Sequence, residues 1–370
     1  MKLKVLIIED EDAVADLLKK KISARLKKLK HTHSFQRCNK ITGSATFLEQ
    51  FRPHIVTLDL KDDATDDMSA GKPAWEFIRD RHFCPVVFFS ANPLPEGFPD
   101  GTDPFAQYLN KNEKSPADVA ATIEQFIPHV CGLDEIRAEV ESRYAKSLHK
   151  VSGLIWKSET KPQARNEALL RVTRRRLAAT LEHPLGDEKH IKAWEQFIYP
   201  PVDEHLCTGD VVLQRGEDKT KAGSFRVILT PPCDLVPGQN AVPMVLLGKC
   251  LTVADTEVFR RSGLQTSTTP TSKLAEKLAK DEVAGIKLIP KLTDLWPTMV
   301  LDFKSLELVA RTSIALSPES ASSDSKFERI ASMDSPFREA LSWRFMQTAG
   351  RPGTPDADRA TLETEIRAAK

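Results

Sequence analysis

Five residues carry most of the chemistry available to this sequence: Glu9, Asp10, Asp59, Ser90 and Lys111. Each sits at or just past the end of a short apolar run. Lys4 to Ile8 leads into Glu9 and Asp10, and HIVTLD, residues 54–59, ends on Asp59. Pro85 to Phe89 leads into Ser90, and Phe105 to Leu109 comes just before Lys111. Runs of four to eight apolar residues rich in β-branched types read as strands buried on both faces of a parallel sheet. In open α/β sheets, side chains at the carboxyl ends of the strands leave the core and meet ligands. Three carboxylates gathered there repel one another, and a divalent cation relieves the repulsion. Oxygen donors with room for water suit Mg²⁺. A hydroxyl and an ammonium facing them supply a hydrogen-bond donor and a positive charge for an incoming phosphoryl group.

The elements that must position these residues follow from periodicity. Val14, Leu17, Leu18, Ile22 and Leu26 recur at steps of three and four, predicting an amphipathic helix with a lysine-rich outer face. A weak strand is expected within residues 34–41. Helices are expected at Thr46 to Phe51, around Trp75, Phe77 and Ile78, and from Ala117 to Ile127. Strand alternating with helix five times predicts a doubly wound, flavodoxin-like parallel sheet of five strands with right-handed crossovers.

VLIIEDED, IVTLD, VVFFSAN and YLNK, in this order and spacing, resemble the receiver domain of two-component response regulators over roughly residues 1–130. The resemblance implies that Glu9 and Asp10 hold Mg²⁺ together with Asp59 and a backbone carbonyl at Lys61. It implies that Asp59 accepts the phosphoryl group from a sensor histidine kinase or phosphotransfer protein. Ser90 becomes the switch hydroxyl, Lys111 the lysine that pairs with the phosphoryl group, and Tyr108 the aromatic that swings inward. Two stretches depart from the family. The loop Lys61 to Gly71 is long and adds Asp62, Asp63, Asp66 and Asp67. After Ser90, ANPLPEGFPDGTDP replaces a helix, because Pro93, Pro95 and Pro99 each remove a helical donor.

The totals bound the rest. Lys and Arg number 53 against 52 Asp and Glu, so net charge gives no sign of nucleic-acid or membrane-surface binding. No apolar run reaches the eighteen or so residues of a membrane span. The chain opens straight into a strand and not a signal peptide, and its six scattered cysteines read as reduced thiols; a cytoplasmic protein is expected.

Residues 133–198 read as a helical connector, built from Ile136, Val140, Tyr144, Leu148 and Val151 and then, after Lys161-Pro162, from Leu169, Leu170, Val172 and Leu177. An antiparallel helix pair or a connector that forms a homodimer accounts for both segments. Arg171, Arg174, Arg175 and Arg176 suit a phosphate backbone, a solvated face or partners for nearby glutamates. Residues 199–350 read as a β-rich α+β output domain with strands at Asp210 to Leu213, Phe225 to Leu229, Met244 to Leu247 and Met299 to Phe303. Its opening hairpin is faintly similar to SH3-like barrels. Here His205, Cys207, Cys233 and Cys250 offer a zinc site of mixed ligands, a reactive thiol at Cys233, or buried cysteines. Ser335-Pro336 opens a last apolar helix, and residues 351–370 form a polar tail in which Leu362 to Ile366 are helical. The reading is a response regulator with a phosphoacceptor at Asp59 and no helix-turn-helix output. Its rivals are a receiver-controlled hydrolase or nuclease and a receiver that serves only as a docking module.

Overall fold

The computed structural model describes residues 2–41, 43–61, 70–99, 101, 103–181, 191–238, 241–257, 259, 272–350 and 358–368. The chain divides into two compact units, Met1–Leu185 and Gly186–Lys370. In the first, β1 (Leu3–Ile8), β2 (His33–Cys38), β3 (Ile55–Leu58), β4 (Val86–Ser90) and β5 (Ala106–Asn110) form one sheet in the order β2-β1-β3-β4-β5. Every pairing is parallel. The order reverses beside β1, as doubly wound sheets require, so all five carboxyl ends lie along one edge. The helices α1 (Asp12–Lys28), α2 (Ser44–Phe51) and α3 (Lys72–Arg81) lie in the crossovers. Buried residues of β1, β3 and β4 alternate between two cores. Val5, Ile55 and Val87 join Leu18 and Ile22 of α1, while Leu6, Val56 and Phe88 join Leu48 and Ile78. Burial on both faces is what the uninterrupted apolar runs predict.

The expected helix Ala117 to Ile127 is longer than its pattern. It forms the start of α4 (Pro116–Ser158), 43 residues that continue through Pro128 and through the junction at residues 130–133. Its first part packs Val119, Ile123, Phe126 and Val130 on the sheet. Its last part pairs with α5 (Pro162–Leu181) around Val151, Ile155 and Ala168, giving the antiparallel helix pair. Among the described residues of 91–105 there is no helix, as the prolines there require. The acids Asp62, Asp63, Asp66 and Asp67 lie outside the described residues.

The second unit holds β6 (Phe197–Ile198), β7 (Asp210–Gln214), β8 (Phe225–Ile228), β9 (Met244–Leu251), β10 (Ile286–Ile289), β11 (Met299–Ala310), β12 (Ile314–Ala315) and β13 (Phe327–Met333). They pair in the order β10-β11-β9-β8-β7-β13-β12, with β6 on β13. All pairs but β12 with β13 are antiparallel. One face buries Val211, Phe225, Val227, Trp296 and Leu301. Helix Phe337–Ala349 adds Leu341 to that core and leaves Trp343 and Met346 exposed, so its apolar surface is narrower than the sequence implied. Residues Arg359–Ala368 are helical, extending the expected turn at Leu362 to Ile366.

A polar knot is buried in this unit. Asp210 Oδ1 accepts from Ser332 Oγ at 2.6 Å, and Oδ2 accepts from the Cys207 amide at 2.8 Å. Arg329 lies 3.5 Å from Asp210 and donates to the carbonyls of Asp203, His205 and Leu316. Burial pushes the Asp210 carboxyl up to about 6 despite these partners. Removing one member of a buried pair leaves the other charge uncompensated, so Arg329→Met is expected to cost about 3–5 kcal/mol in urea unfolding. Because the folded carboxyl titrates above its ordinary value, the native state holds an extra proton between about pH 4 and 6. Stability is therefore expected to fall as pH rises through that window, and Asp210→Asn to flatten the slope.

Candidate functional site

The loops after β1, β3 and β5 are held in place by their neighbours' ladders. The Glu9 amide donates to the Cys38 carbonyl at 3.1 Å and the Asp59 amide to Ile8 at 3.0 Å. The Lys111 amide donates to the Ser90 carbonyl at 2.9 Å. Each site residue is thus one step beyond a buried strand, where its backbone is still fixed and its side chain has left the core. Glu9 and Asp59 are buried, Asp10 half-buried, and ligand oxygens from all three lie within 4.8 Å of one another. The structure brings together the acids expected to meet.

Lys111 reaches into this cluster from the far side of the sheet. Its Nζ is 3.0 Å from Glu9 and 2.5 Å from Asp59 Oδ2. Asp59 Oδ1 accepts from the amides of Leu60 at 2.7 Å and Lys61 at 3.4 Å, so both carboxylate oxygens are engaged. One ammonium does not balance the carboxylates. Burial pushes the Glu9 carboxyl up to about 7, Asp59 adds to the rise, and Lys111 opposes both. On Lys111 itself burial favours the neutral amine, but Glu9 and Asp59 outweigh it and hold its pKa above the ordinary lysine value. The donor set fits a hard divalent cation: it is all oxygen, compact and short of positive charge.

Ser90, wholly buried, ends β4 beside this cluster. Its Oγ accepts the Asn92 amide at 3.5 Å. The Tyr108 hydroxyl donates to the Asn92 carbonyl at 2.9 Å, and Asn112 Nδ2 to the Ala91 carbonyl at 3.4 Å. The segment after Ser90 is therefore tied to β5 and its loop by two side chains. Tyr108 also lines a cavity of about 770 Å³ with Leu94, Phe98 and Pro104.

Two supporting residues escaped the sequence reading. Arg37, at the end of β2, donates to the Glu9 carbonyl at 3.0 and 3.1 Å and the Asp10 carbonyl at 2.9 Å, and pairs with Asp12. It clamps the acidic turn, and its signal was hidden in the poorly patterned strand HSFQRC. At Gly71 a Cβ would stand 2.9 Å from the Asp59 carbonyl oxygen, so only glycine lets α3 start against the Asp59 backbone.

The residues expected to offer zinc behave otherwise. His205, Cys207, Cys233 and Cys250 form no ligand cluster; among the described residues, only Glu9, Asp10 and Asp59 do. Cys250 is sealed in the core, and burial pushes its thiol up to about 12. Cys207 is also pushed up to about 12, by burial first and then by Asp210 and Asp203. The His205 carbonyl and Cys207 amide serve the Arg329–Asp210 knot, which fixes that segment without metal. Cys233 alone is exposed, on the turn Pro232–Leu235, with its thiol 3.5 Å from Asp234.

No family model matches the chain, and no curated relative matches it. Among solved structures, an AraC two-component transcriptional regulator from Clostridium phytofermentans is 18% identical, over 36% of this chain and 98% of its own, with a TM-score of 0.29. The response regulator DrrB of Thermotoga maritima is 20% identical over 35% of this chain and 54% of its own, at 0.26. The receiver domain of Francisella response regulator 1452 is 17% identical over 33% and 94%, also at 0.26. These likenesses to receiver domains cover the N-terminal part of the chain, and the C-terminal half is not recognised. At such identities and scores they do not assign the site.

The charge deficit makes a direct prediction. A carbon-detected NMR titration of the Glu9 carboxyl is expected to give a midpoint near 7, and Lys111→Met to move it higher, since the ammonium is what lowers it. Gly71→Ala is expected to destabilise the first unit by about 1–3 kcal/mol through overpacking at Asp59, measured by urea unfolding.

Proposed function

We propose that the first unit is a phosphoryl-accepting receiver, and that the chain is a response regulator whose output is not a helix-turn-helix. The observation that carries this reading is the buried trio Glu9, Asp10 and Asp59 with Lys111 inserted between two of them. Mg²⁺ would be held by Glu9, Asp10, Asp59 and the Lys61 carbonyl, where it would offset the anionic charge of an incoming phosphoryl group. A sensor histidine kinase or phosphotransfer protein would be the donor. The P–N bond of its phosphohistidine breaks as a P–O bond forms to an Asp59 carboxylate oxygen.

This chain's residues then have defined tasks. Lys111 gives up part of its hold on Asp59 Oδ2 and pairs with the phosphoryl oxygens, keeping its charge because two carboxylates raise its pKa. Ser90 Oγ donates to a phosphoryl oxygen. To do so the Ala91–Asn92 segment closes on the site, and the Tyr108–Asn92 bond is exchanged for a new position of the ring. A ligand must favour one state by about 5.5 kcal/mol to carry a two-state switch from 1:99 to 99:1. Charge-assisted contacts at Lys111, Ser90 and the cation are of the kind that supply it. The segment that moves is the proline-rich one, so the cavity beside Tyr108 changes shape with phosphorylation.

Incubation with acetyl phosphate and Mg²⁺ followed by intact mass spectrometry tests the reading. One labile phosphoryl group is expected, absent in Asp59→Asn and without Mg²⁺. An unmodified wild-type protein would leave a docking module as the reading.

A further inference from the structure

Of the readings left open for Arg171, Arg174, Arg175 and Arg176, the structure removes partnership with glutamates for three. Arg171 has Glu167 at 3.8 Å, whereas Arg174, Arg175 and Arg176 have no carboxylate within 4.0 Å among the described residues. The imbalance extends along the whole distal hairpin. Residues 142–181 hold ten Lys and Arg against two Asp and Glu, in a chain whose total charge is only +1. The near-neutral total conceals one strongly basic arm and a net acidic remainder.

The positive charge is ordered on α4. Arg143, Lys146, Lys150 and Lys157 recur at steps of three, four and seven, which places them in one stripe of the helix. Arg143, Lys146 and Lys150 line a cleft of about 400 Å³ with Arg176 of α5, beside Ser147 and Thr180. Arg143 holds Glu139 at 2.6 Å, at the base of the stripe. Lys146, Lys150, Lys157 and Arg176 have no carboxylate partner among the described residues. At 1.5 Å per residue the stripe is about 21 Å long, the axial span of roughly six phosphates on one strand of a duplex.

We propose that this basic groove of α4 and α5 binds the phosphate backbone of double-stranded nucleic acid, without reading bases. Charge complementarity selects a polyanion, and the side chains in the groove select the kind. Single-strand binders interleave aromatic platforms with their cations. Here Tyr144 lines the other face of the hairpin, and the guanidinium of Arg165 stacks on Trp156 at 4.3 Å. A membrane-binding face needs large apolar side chains beside its cations. Leu148, Leu169, Leu170 and Leu177 line the opposite groove, and Leu154 is the one exposed large apolar residue that helical spacing places within the stripe, while hydroxyls of Ser142, Ser147 and Thr180 accompany the lysines.

Fluorescence anisotropy of a short labelled duplex DNA with the full-length chain tests the proposal. Four phosphate contacts predict that log K falls against log salt with a slope of about −3.6. The variant Lys146→Gln/Lys150→Gln/Arg176→Gln should weaken binding at least about tenfold at low salt and make the slope shallower by nearly three. Its helicity by circular dichroism should match wild type, and Lys146→Arg/Lys150→Arg should keep the wild-type affinity. Lys19→Gln/Lys20→Gln/Lys21→Gln on α1 removes the same net charge and should leave binding unchanged. The proposal is overturned by no binding at low salt, by an equal loss in the α1 variant, by tighter binding of the single strand, or by preference for vesicles of anionic lipid.

Discussion

The first unit depends on a single electrostatic arrangement: one ammonium shared between two buried carboxylates at the edge of a parallel sheet. Lys111 touches Glu9 and Asp59 at once, and the two acids belong to adjacent strands. Burial disfavours the charge on Glu9. The third carboxylate, Asp10, adds to the excess. Burial, and after it the Asp59 charge, raise the Glu9 pKa against the pull of Lys111. The site is thus built to gain from a cation, and its lysine to gain from a new anion. Arg37 and Gly71 serve this arrangement from outside, the first by holding the acidic turn and the second by letting α3 approach the Asp59 backbone.

What lies around the site differs from what it requires. Between β4 and β5 the chain places four prolines, Pro93, Pro95, Pro99 and Pro104, and a cavity opens beside Tyr108. A rigid continuous element leaves the sheet at a different place. α4 begins five residues after Lys111, packs on the sheet and continues into the basic hairpin without a break. Helix α4 thus joins the sheet, where it packs at Val119 and Ile123, to the hairpin. The second unit is organised by different physics, with Arg329 and Asp210 tying strands and loops together in its interior.

The sheet and the carboxylate cluster were legible in the sequence because parallel strands buried on both faces must be continuously apolar, and the polar residue that ends each run stands out. Glu9, Asp59, Ser90 and Lys111 announced themselves in this way. Arg37 did not, since β2 is an edge strand whose half-exposed residues carry no pattern. The length of α4 was hidden by Pro128, which reads as a stop although the helix runs through it. At His205, Cys207, Cys233 and Cys250 the alternatives of zinc site, reactive thiol and buried cysteine stayed open for a related reason: composition says that thiols and an imidazole are present, but only the fold shows that Cys207 and Cys250 are buried and Cys233 exposed. Strands β10 and β13 were missed because Lys287 and Arg329 interrupt their apolar pattern. The fold accommodates both cations in buried ion pairs with Asp281 and Asp210, a context local sequence does not reveal.

The central claim is that Asp59 receives the phosphoryl group. Borohydride reduction of protein treated with acetyl phosphate converts an aspartyl phosphate to homoserine, which peptide mass spectrometry locates. The account predicts homoserine at position 59 and at no other acid of the cluster. Homoserine at Glu9 or Asp10, or its absence from a protein that has taken up phosphate, would contradict it.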